Sequence, residues 1–244
     1  MPSRPQPSTR ATALVSLRVW GIEASGIPAA LGRVARDTIA IRDFPGLVFA
    51  KVLGTGSGTT FAPQHADPRH WALLTCWDAP QAAHAFTQSR TVRRWDAAST
   101  EQAHITMTPI ASTGQWSRRE PFALASRDVE PTTTSDPVAA ITRARIHPRH
   151  LPAFWRALPR ATAPLASQAG LIWSLGIGEA PIGFQGTFSM WRDMRAMRQY
   201  AYESVGHVDA ARAARREKWF AEELFAHLRV VEVTGSYRGR PLMS

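Results

Sequence analysis

The chain has 244 residues, of which 44% are hydrophobic and 20% charged, and its formal net charge is +10. These proportions are typical of a globular protein with a sizeable core, and no apolar run approaches the roughly 18 residues of a membrane span. The start of the chain lacks the apolar segment of a secretory signal, and the single cysteine, Cys76, excludes an intrachain disulfide. We expect a cytoplasmic location, with peripheral contact to the inner membrane as the alternative.

The first half of the chain predicts the order β-α-β-β-α-β after a disordered tail at residues 1–11. Alternating polarity predicts four strands, and a period near 3.6 predicts two helices. The strands are Thr12–Trp20, Leu47–Leu53, His70–Trp77 and His104–Ile110, and the helices are Ser25–Ile41 and Gln81–Trp95.

A linker at residues 114–137, rich in proline and threonine, precedes a second half of similar order. Strands are predicted at Val138–Ile146, Leu171–Ile177, Phe184–Trp191 and Leu228–Val233. Helices are predicted at Leu151–Leu158, at Met194–Tyr202 and from about His207 to Ala226.

Two blocks of sequence recur in the same order. Trp77 and Trp191 each end an apolar strand before a helix and are 114 positions apart, as are Phe86 and Tyr200. A Gly-Leu pair at Gly46 and again at Gly170 opens the strand that precedes each block. Such self-similarity favours a duplication.

The predicted fold is therefore α+β, with tandem ferredoxin-like repeats at residues 12–113 and 138–236 and a tail at 237–244. We expect the dimeric α/β-barrel type, in which two antiparallel sheets pack face to face with helices outside. A small-molecule pocket is expected between a sheet and its helices.

Four separated segments resemble the spheroidene monooxygenase family. They are Gly54-Thr55-Gly56-Ser57-Gly58 with Phe61-Ala62-Pro63; Glu120-Pro121-Phe122; Phe188-Ser189-Met190-Trp191-Arg192-Asp193 with Met197 and Tyr200-Ala201; and Trp219-Phe220-Ala221-Glu222-Glu223-Leu224-Phe225-Ala226. The chain departs from the family's pattern in its Pro-rich start and at His147-Pro148-Arg149-His150.

The resemblance implies an oxidation of a spheroidene-like acyclic carotenoid by O2, which introduces a keto group. It also implies a haem iron and a fold similar to that of other haem-binding α/β barrels. Because no flavin or nicotinamide fingerprint is present, electrons have to come from an external donor. The basic charge suits an acidic ferredoxin.

With the resemblance, His207 is the predicted axial ligand of the iron. Ala210, Ala211 and Ala214 lie on the same helical face and leave room for a flat macrocycle. Arg143 and Arg145 point to one face of a strand and are the predicted catalytic arginines, pairing propionates or steering oxygen. The alternative interpretations, in which these residues have no functional role, are a histidine packed on an alanine-rich helix and two solvated surface arginines.

Other interpretations of the chain remain open. One is a cofactor-free α/β-barrel enzyme or binding protein for a small apolar ligand. Another is a nucleic-acid-binding protein, which the dispersed arginines and the absence of a reader motif disfavour. His207-Val208-Asp209 imitates a non-haem iron motif, but residues two positions apart on a helix point in different directions and do not share one metal. His147-x-x-His150 is interpreted as a surface histidine pair, since Pro148 and Arg149 lie in a predicted turn and no second ligand pair is evident.

Overall fold

The structure is a computed structural model that describes residues 12–56, 66–123, 135–154, 156, 165, 168–179, 186–203, 216–217 and 219–243. The predicted tail at 1–11, the second part of the glycine loop, residues 124–134 of the linker, and His207 with its three alanines lie outside the described residues.

The first half contains four strands and three helices. They are β1 (Leu14–Ile22), α1 (Ile27–Ala40), β2 (Leu47–Gly56), β3 (Ala66–Trp77), α2 (Pro80–Thr87), α3 (Arg90–Asp96) and β4 (Ser99–Gly114). The second half contains β5 (Val138–Ile146), β6 (Leu171–Gly178), β7 (Gly186–Trp191), α4 (Met194–Glu203), β8 (Phe220–Tyr237) and β9 (Arg240–Pro241). The predicted second helix is two helices, because Ser89 caps α3 by accepting from the amide of Val92 at 3.2 Å.

One antiparallel sheet contains all nine strands, in the order β4-β1-β3-β2-β6-β7-β5-β8-β9. Because β4 also pairs with β8, the first eight strands close into a cylinder. The prediction of two separate sheets packed face to face was therefore wrong. The halves join edge to edge, with Gly54–Gly56 on Gly176–Gly178 at one seam and β4 on β8 at the other. This pairing satisfies backbone groups that two open sheet edges would expose.

Alternate side chains of the strands fill the cylinder, and the core there is apolar. It includes Leu17 of β1, Leu74 of β3, Ile105 of β4, Phe188 of β7 and Leu228 of β8. Trp116 and Phe122, which follow β4 in the predicted linker, are also buried in this core, as are Tyr237 and Leu242 near the end of the chain.

The outer face of the first half packs against α1, α2 and α3 through large aromatic side chains. Trp20 stacks on Trp95 with ring centroids 5.4 Å apart, and both are buried together with Trp71 and Trp77. On the second half, α4 covers part of the outer face through Met197, which packs against Trp191 and Val138.

The repeated blocks make the same contacts in each half. Trp77 contacts Phe86 with centroids 5.0 Å apart, and Trp191 contacts Tyr200 at 5.3 Å. The indole of Trp77 donates to Thr75, and that of Trp191 donates to Ser189, both at 2.9 Å. The strand order is also the same, since β4-β1-β3-β2 and β8-β5-β7-β6 correspond in sequence.

The last strand differs most from its prediction. Residues 220–226 belong to β8, whereas the sequence predicted a helix up to Ala226 and a strand only at Leu228–Val233. Residues from 220 to 230 pair with β4 or β5, and this pairing overrides the helical propensity of the Glu- and Ala-rich segment. Among the described residues, no helix is both long and apolar enough to cross a membrane.

Candidate functional site

Three ladders of the second half align small side chains on the outer face of the sheet. His227 lies opposite Ala140, Ala140 opposite Ser189, and Ser189 opposite Ser174. The next row contains Phe225, Thr142, Thr187 and Gly176. We call these residues, apart from Phe225, the second-half floor: Ala140, Thr142, Ser174, Gly176, Thr187, Ser189 and His227.

The corresponding surface of the first half carries larger side chains. Counting back four residues from the equivalent Trp77 and Trp191 gives Leu73 and Thr187. Leu73 pairs with Arg18 and Val52, whereas Thr187 pairs with Thr142 and Gly176. From the first half to the second, leucine is replaced by threonine, arginine by threonine and valine by glycine. The second-half floor therefore carries smaller side chains than its counterpart; Gly176 and Ser189 are buried in it, and the other five residues are half-buried.

His227 is the imidazole on this floor. Burial lowers its pKa below 6.5, and the nearby charge of Arg198 on α4 lowers it further. The side chain is therefore neutral at pH 7, which is the form that binds metals or exchanges a proton. Sequence reasoning missed His227, because the residues just before it were predicted to end a helix.

Arg143 lies inside the cylinder and is only 1% exposed. Its guanidinium donates to Glu179 at 2.7 Å and to Glu222, and it stacks 5.6 Å from the ring centroid of Trp116. Lys51 also donates to Glu179, at 2.5 Å. We call these five residues the Arg143 cluster; its two cations balance its two carboxylates.

The carboxylates of the Arg143 cluster are held in the charged form. Burial alone would raise the pKa of Glu179, but Lys51, Trp116 and Arg143 outweigh burial and keep this pKa below 4.5. Burial also opposes ionisation of Glu222, whose pKa is lowered by the amides of Arg118 and Ser117 and then by Arg143. The cluster therefore ties β2, β5, β8 and the segment after β4 together by charge-assisted hydrogen bonds.

Arg145 lies at the rim of the same face. Its side chain is 53% exposed, and its guanidinium is 3.9 Å from Glu222. The predicted common face of Arg143 and Arg145 is thus an interior face, opposite the second-half floor. Sequence reasoning missed Glu179, Glu222, Lys51 and Trp116 as their neighbours, since these residues are distant in sequence.

An open groove of about 710 Å³ lies between the end of α1, β2 and the segment after β4. Arg42, Asp43, Lys51, Arg119 and Glu179 line it. Apolar residues also line the groove, which therefore offers both charged and apolar contacts: Ile41, Leu47, Val48, Phe49, Ala50 and Val52.

A second polar cluster lies where β1, β3, β4 and β8 meet. His70 contacts Asp67 through Nδ1 at 2.9 Å and Glu101 through Nε2 at 3.2 Å. Arg238 donates to Asp67 at 2.6 Å, and its amide donates to Glu101 at 2.7 Å. These contacts fasten the end of β8 to the first half.

The remaining residues singled out in the sequence are the pair His147 and His150 and the glycine loop. His147 and His150 have ring centroids 6.3 Å apart, and His150 accepts from Arg149 at 3.0 Å. No group of three histidine, cysteine or carboxylate side chains suited to a metal occurs in the described part of the chain. Gly54 and Gly56 of the glycine loop belong to β2.

Solved structures share this fold at low sequence identity. An aldoxime dehydratase aligns with a TM-score of 0.59 at 12% identity, covering 94% of this chain and 84% of its own. An aldoxime dehydratase in complex with butyraldoxime aligns with a TM-score of 0.56 at 12% identity, covering 93% and 81%. No protein-family model matches the chain.

Three relatives match most of the chain, and each is named spheroidene monooxygenase. The Rhodobacter capsulatus protein is 34% identical over 222 residues, which are 90% of this chain and 91% of that protein. The Cereibacter sphaeroides protein is 30% identical over 86% of this chain and 64% of its own length. The Rubrivivax gelatinosus protein is 30% identical over 91% and 80%. The chain therefore belongs to the spheroidene monooxygenase family of oxidoreductases.

Proposed function

We propose that the protein is a haem-dependent monooxygenase that introduces a keto group into a spheroidene-like acyclic carotenoid. The observation that carries the proposal is the 34% identity to a spheroidene monooxygenase over 90% of the chain. The small side chains of the second-half floor support it, since a flat cofactor or a polyene that packs beside a sheet requires space there.

The described residues fit a haem in two respects. The second-half floor lacks large side chains, and its imidazole, His227, is kept neutral by burial. In the proposed arrangement His207 holds the iron, with Ala210, Ala211 and Ala214 beside it. Bound haem supplies an iron centre that activates O2. The hydroxyl groups of Thr142 and Thr187 are available on the floor to bind a polar atom of a ligand.

The two arginines take separate roles in this proposal. Arg143 acts from the interior by holding Glu179 and Glu222, which fixes β5 beneath the second-half floor. Arg145, which is half exposed at the rim of the interior face, can meet a ligand carboxylate there, but it faces away from a haem bound on the second-half floor.

An external electron donor follows from the reaction. Conversion of a methylene to a ketone by two oxygen insertions consumes two molecules of O2, four electrons and four protons, and releases three molecules of water. A ferredoxin-type protein is the proposed donor, because the net charge of +10 attracts an acidic partner. We also propose a cytoplasmic protein that contacts the membrane peripherally to reach its substrate.

The architecture is proposed to be a tandem duplication of a ferredoxin-like unit, with repeats at 12–113 and 138–236. The shared strand order and the paired contacts of Trp77 with Phe86 and Trp191 with Tyr200 support this proposal.

The absorption spectrum of protein expressed with added haem tests the cofactor. We expect a Soret band that is lost or shifted in His207→Ala and changed in His227→Ala. His84→Ala on α2, an exposed histidine of the first half, is the matched control and should leave the spectrum unchanged. Colourless wild-type protein would favour the cofactor-free enzyme or binding protein instead.

A further inference from the structure

Helix α1 presents a stripe of apolar side chains to solvent. Leu31 is 43% exposed and Ile39 is 68% exposed, with the exposed Ala35 between them. Because these residues are four positions apart, they lie along one side of the helix. Single exposed apolar residues are common, but an aligned set indicates an interaction surface.

Exposed arginines lie on α1, three positions before Ile39, and on the neighbouring α3. Arg36 is on α1, and Arg90, Arg93 and Arg94 are on α3. The two helices are in contact, because the indole of Trp95 on α3 donates to Asp37 on α1 at 2.8 Å. We call Leu31, Ala35, Ile39 and these four arginines the α1–α3 face.

The positive charge of the α1–α3 face is only partly offset, since the charges of Arg36 and Arg94 act on the buried Asp37. Asp37 is buried and accepts from Trp95, and Asp96 accepts from the indole of Trp20 at 2.7 Å. None of the four arginines forms an ion pair within the described part of the chain, unlike Arg143 and Arg238. The face is therefore both cationic and apolar.

We propose that the α1–α3 face docks on the surface of an anionic lipid bilayer. Leu31 and Ile39 enter the headgroup region, and the arginines pair with lipid phosphates, as in other interfacial helices. This inference rests on the proposed function, since a water-insoluble carotenoid has to be collected from a membrane. The exposed apolar stripe favours a bilayer over an acidic protein or a nucleic acid, neither of which requires it.

Cosedimentation with vesicles tests the docking surface. The wild type should bind vesicles of phosphatidylcholine with phosphatidylglycerol and should not bind phosphatidylcholine alone. The triple variant Arg36→Glu, Arg93→Glu, Arg94→Glu should lower the partition coefficient by about 100-fold, because each cation contributes several-fold. A control with the same charge change, Arg192→Glu, Arg216→Glu, Arg240→Glu, reverses exposed arginines elsewhere and should retain most of the binding.

A second variant separates insertion from simple attraction. Leu31→Ser with Ile39→Ser keeps every charge and should still weaken vesicle binding at high salt. Unchanged binding of this variant, equal losses in the two triple variants, or no binding of the wild type to anionic vesicles would overturn the proposal.

Oxidation of carotenoid in detergent micelles separates this failure from failure of the proposed function. The Arg36, Arg93, Arg94 variant should oxidise micellar substrate at the wild-type rate if the face serves only to dock. A wild type that oxidises micellar carotenoid but ignores anionic vesicles would refute docking and leave the oxygenase intact.

Discussion

Arg143 is a buried cation between two carboxylates, and its neighbours depend on it. Glu179 and Glu222 share its guanidinium, and the indole of Trp116 covers it. Removing one partner of a buried ion pair leaves the other charge without compensation. The first consequence of losing Arg143 is thus expected in stability and only then in activity.

Arg143→Met is predicted to lower the free energy of unfolding by about 3 kcal/mol, because two carboxylates lose their shared cation. Urea denaturation measures this change. Arg145→Met removes an arginine that is half exposed and 3.9 Å from Glu222, so its cost should stay below about 1 kcal/mol. Equal costs for the two variants would show that the Arg143 cluster does not stabilise the fold.

The second residue-scale prediction concerns pH and His70. Burial alone would lower the pKa of His70, but the hydrogen bonds and charges of Asp67 and then Glu101 outweigh it and raise the pKa above 6.5. Arg238, which is hydrogen-bonded to Asp67, and Arg69 line the same small cavity as His70. A raised pKa means that the folded state binds the proton more tightly, so the stabilisation is complete below pH 6.5 and is lost as pH rises through the folded pKa.

The urea midpoint should therefore decline as pH rises above 6.5, and His70→Gln should flatten that decline. His104, whose pKa burial lowers to about 4, and His227 act in the opposite sense, and their effect extends somewhat above pH 6.5, so the difference between the His70→Gln protein and the wild type is what isolates His70. An unaltered slope in the His70→Gln protein would show that other groups cause the dependence.

At the scale of elements, closure of the cylinder depends on β8. Its segment Phe220–Ala226 has the Glu, Leu and Ala content of a helix, and the sequence predicted one. The segment forms a strand instead, because β4 and β5 offer it a hydrogen-bonding partner on each side. Without β8, the edges of β4 and β5 would stay unpaired. Local propensity could not reveal those partners, which are far away in the chain.

Gly235 tests the β4–β8 seam. Its φ is +87°, and an added Cβ would lie 2.0 Å from the carbonyl oxygen of Gln102 on β4. Gly235→Ala should cost more than about 2 kcal/mol, since left-handed backbone strain and the clash add together. Gly239 has φ of +72° with open space around it, so Gly239→Ala should show only the strain. Similar thermal shifts for both variants would contradict a close approach at this seam.

The second-half floor gives another element-scale prediction. Thr142→Arg with Thr187→Leu rebuilds on the second half the side chains that Arg18 and Leu73 supply on the first. Haem titration should show strongly reduced binding, because larger side chains fill the floor, while circular dichroism stays that of the wild type. The matched control is Arg18→Thr with Leu73→Thr, which gives the first half the small side chains of the second half. This variant should keep haem binding. Full haem binding by the filled variant would place the cofactor elsewhere.

In the molecule as a whole, the sequence predicted most of the strands along the chain but not how the two halves join. Trp77 and Trp191 were recognised from local pattern, and their equivalent contacts depend only on that pattern. Strand alternation placed Arg143 and Arg145 on one face. Their partners could not be assigned, because Glu179 is 36 positions from Arg143 and Glu222 is 79. Whether a strand face lies inside a cylinder depends on edge pairing, which the sequence pattern does not encode.

The central claim is that this chain uses O2 to oxidise an acyclic carotenoid. The most direct measurement incubates purified, haem-loaded protein with spheroidene and a ferredoxin reducing system under ¹⁸O2, and identifies the products by mass spectrometry. We expect a keto carotenoid that carries ¹⁸O from the gas and is absent when haem or the electron donor is omitted. Recovery of unchanged spheroidene, with haem bound and electrons supplied, would contradict it.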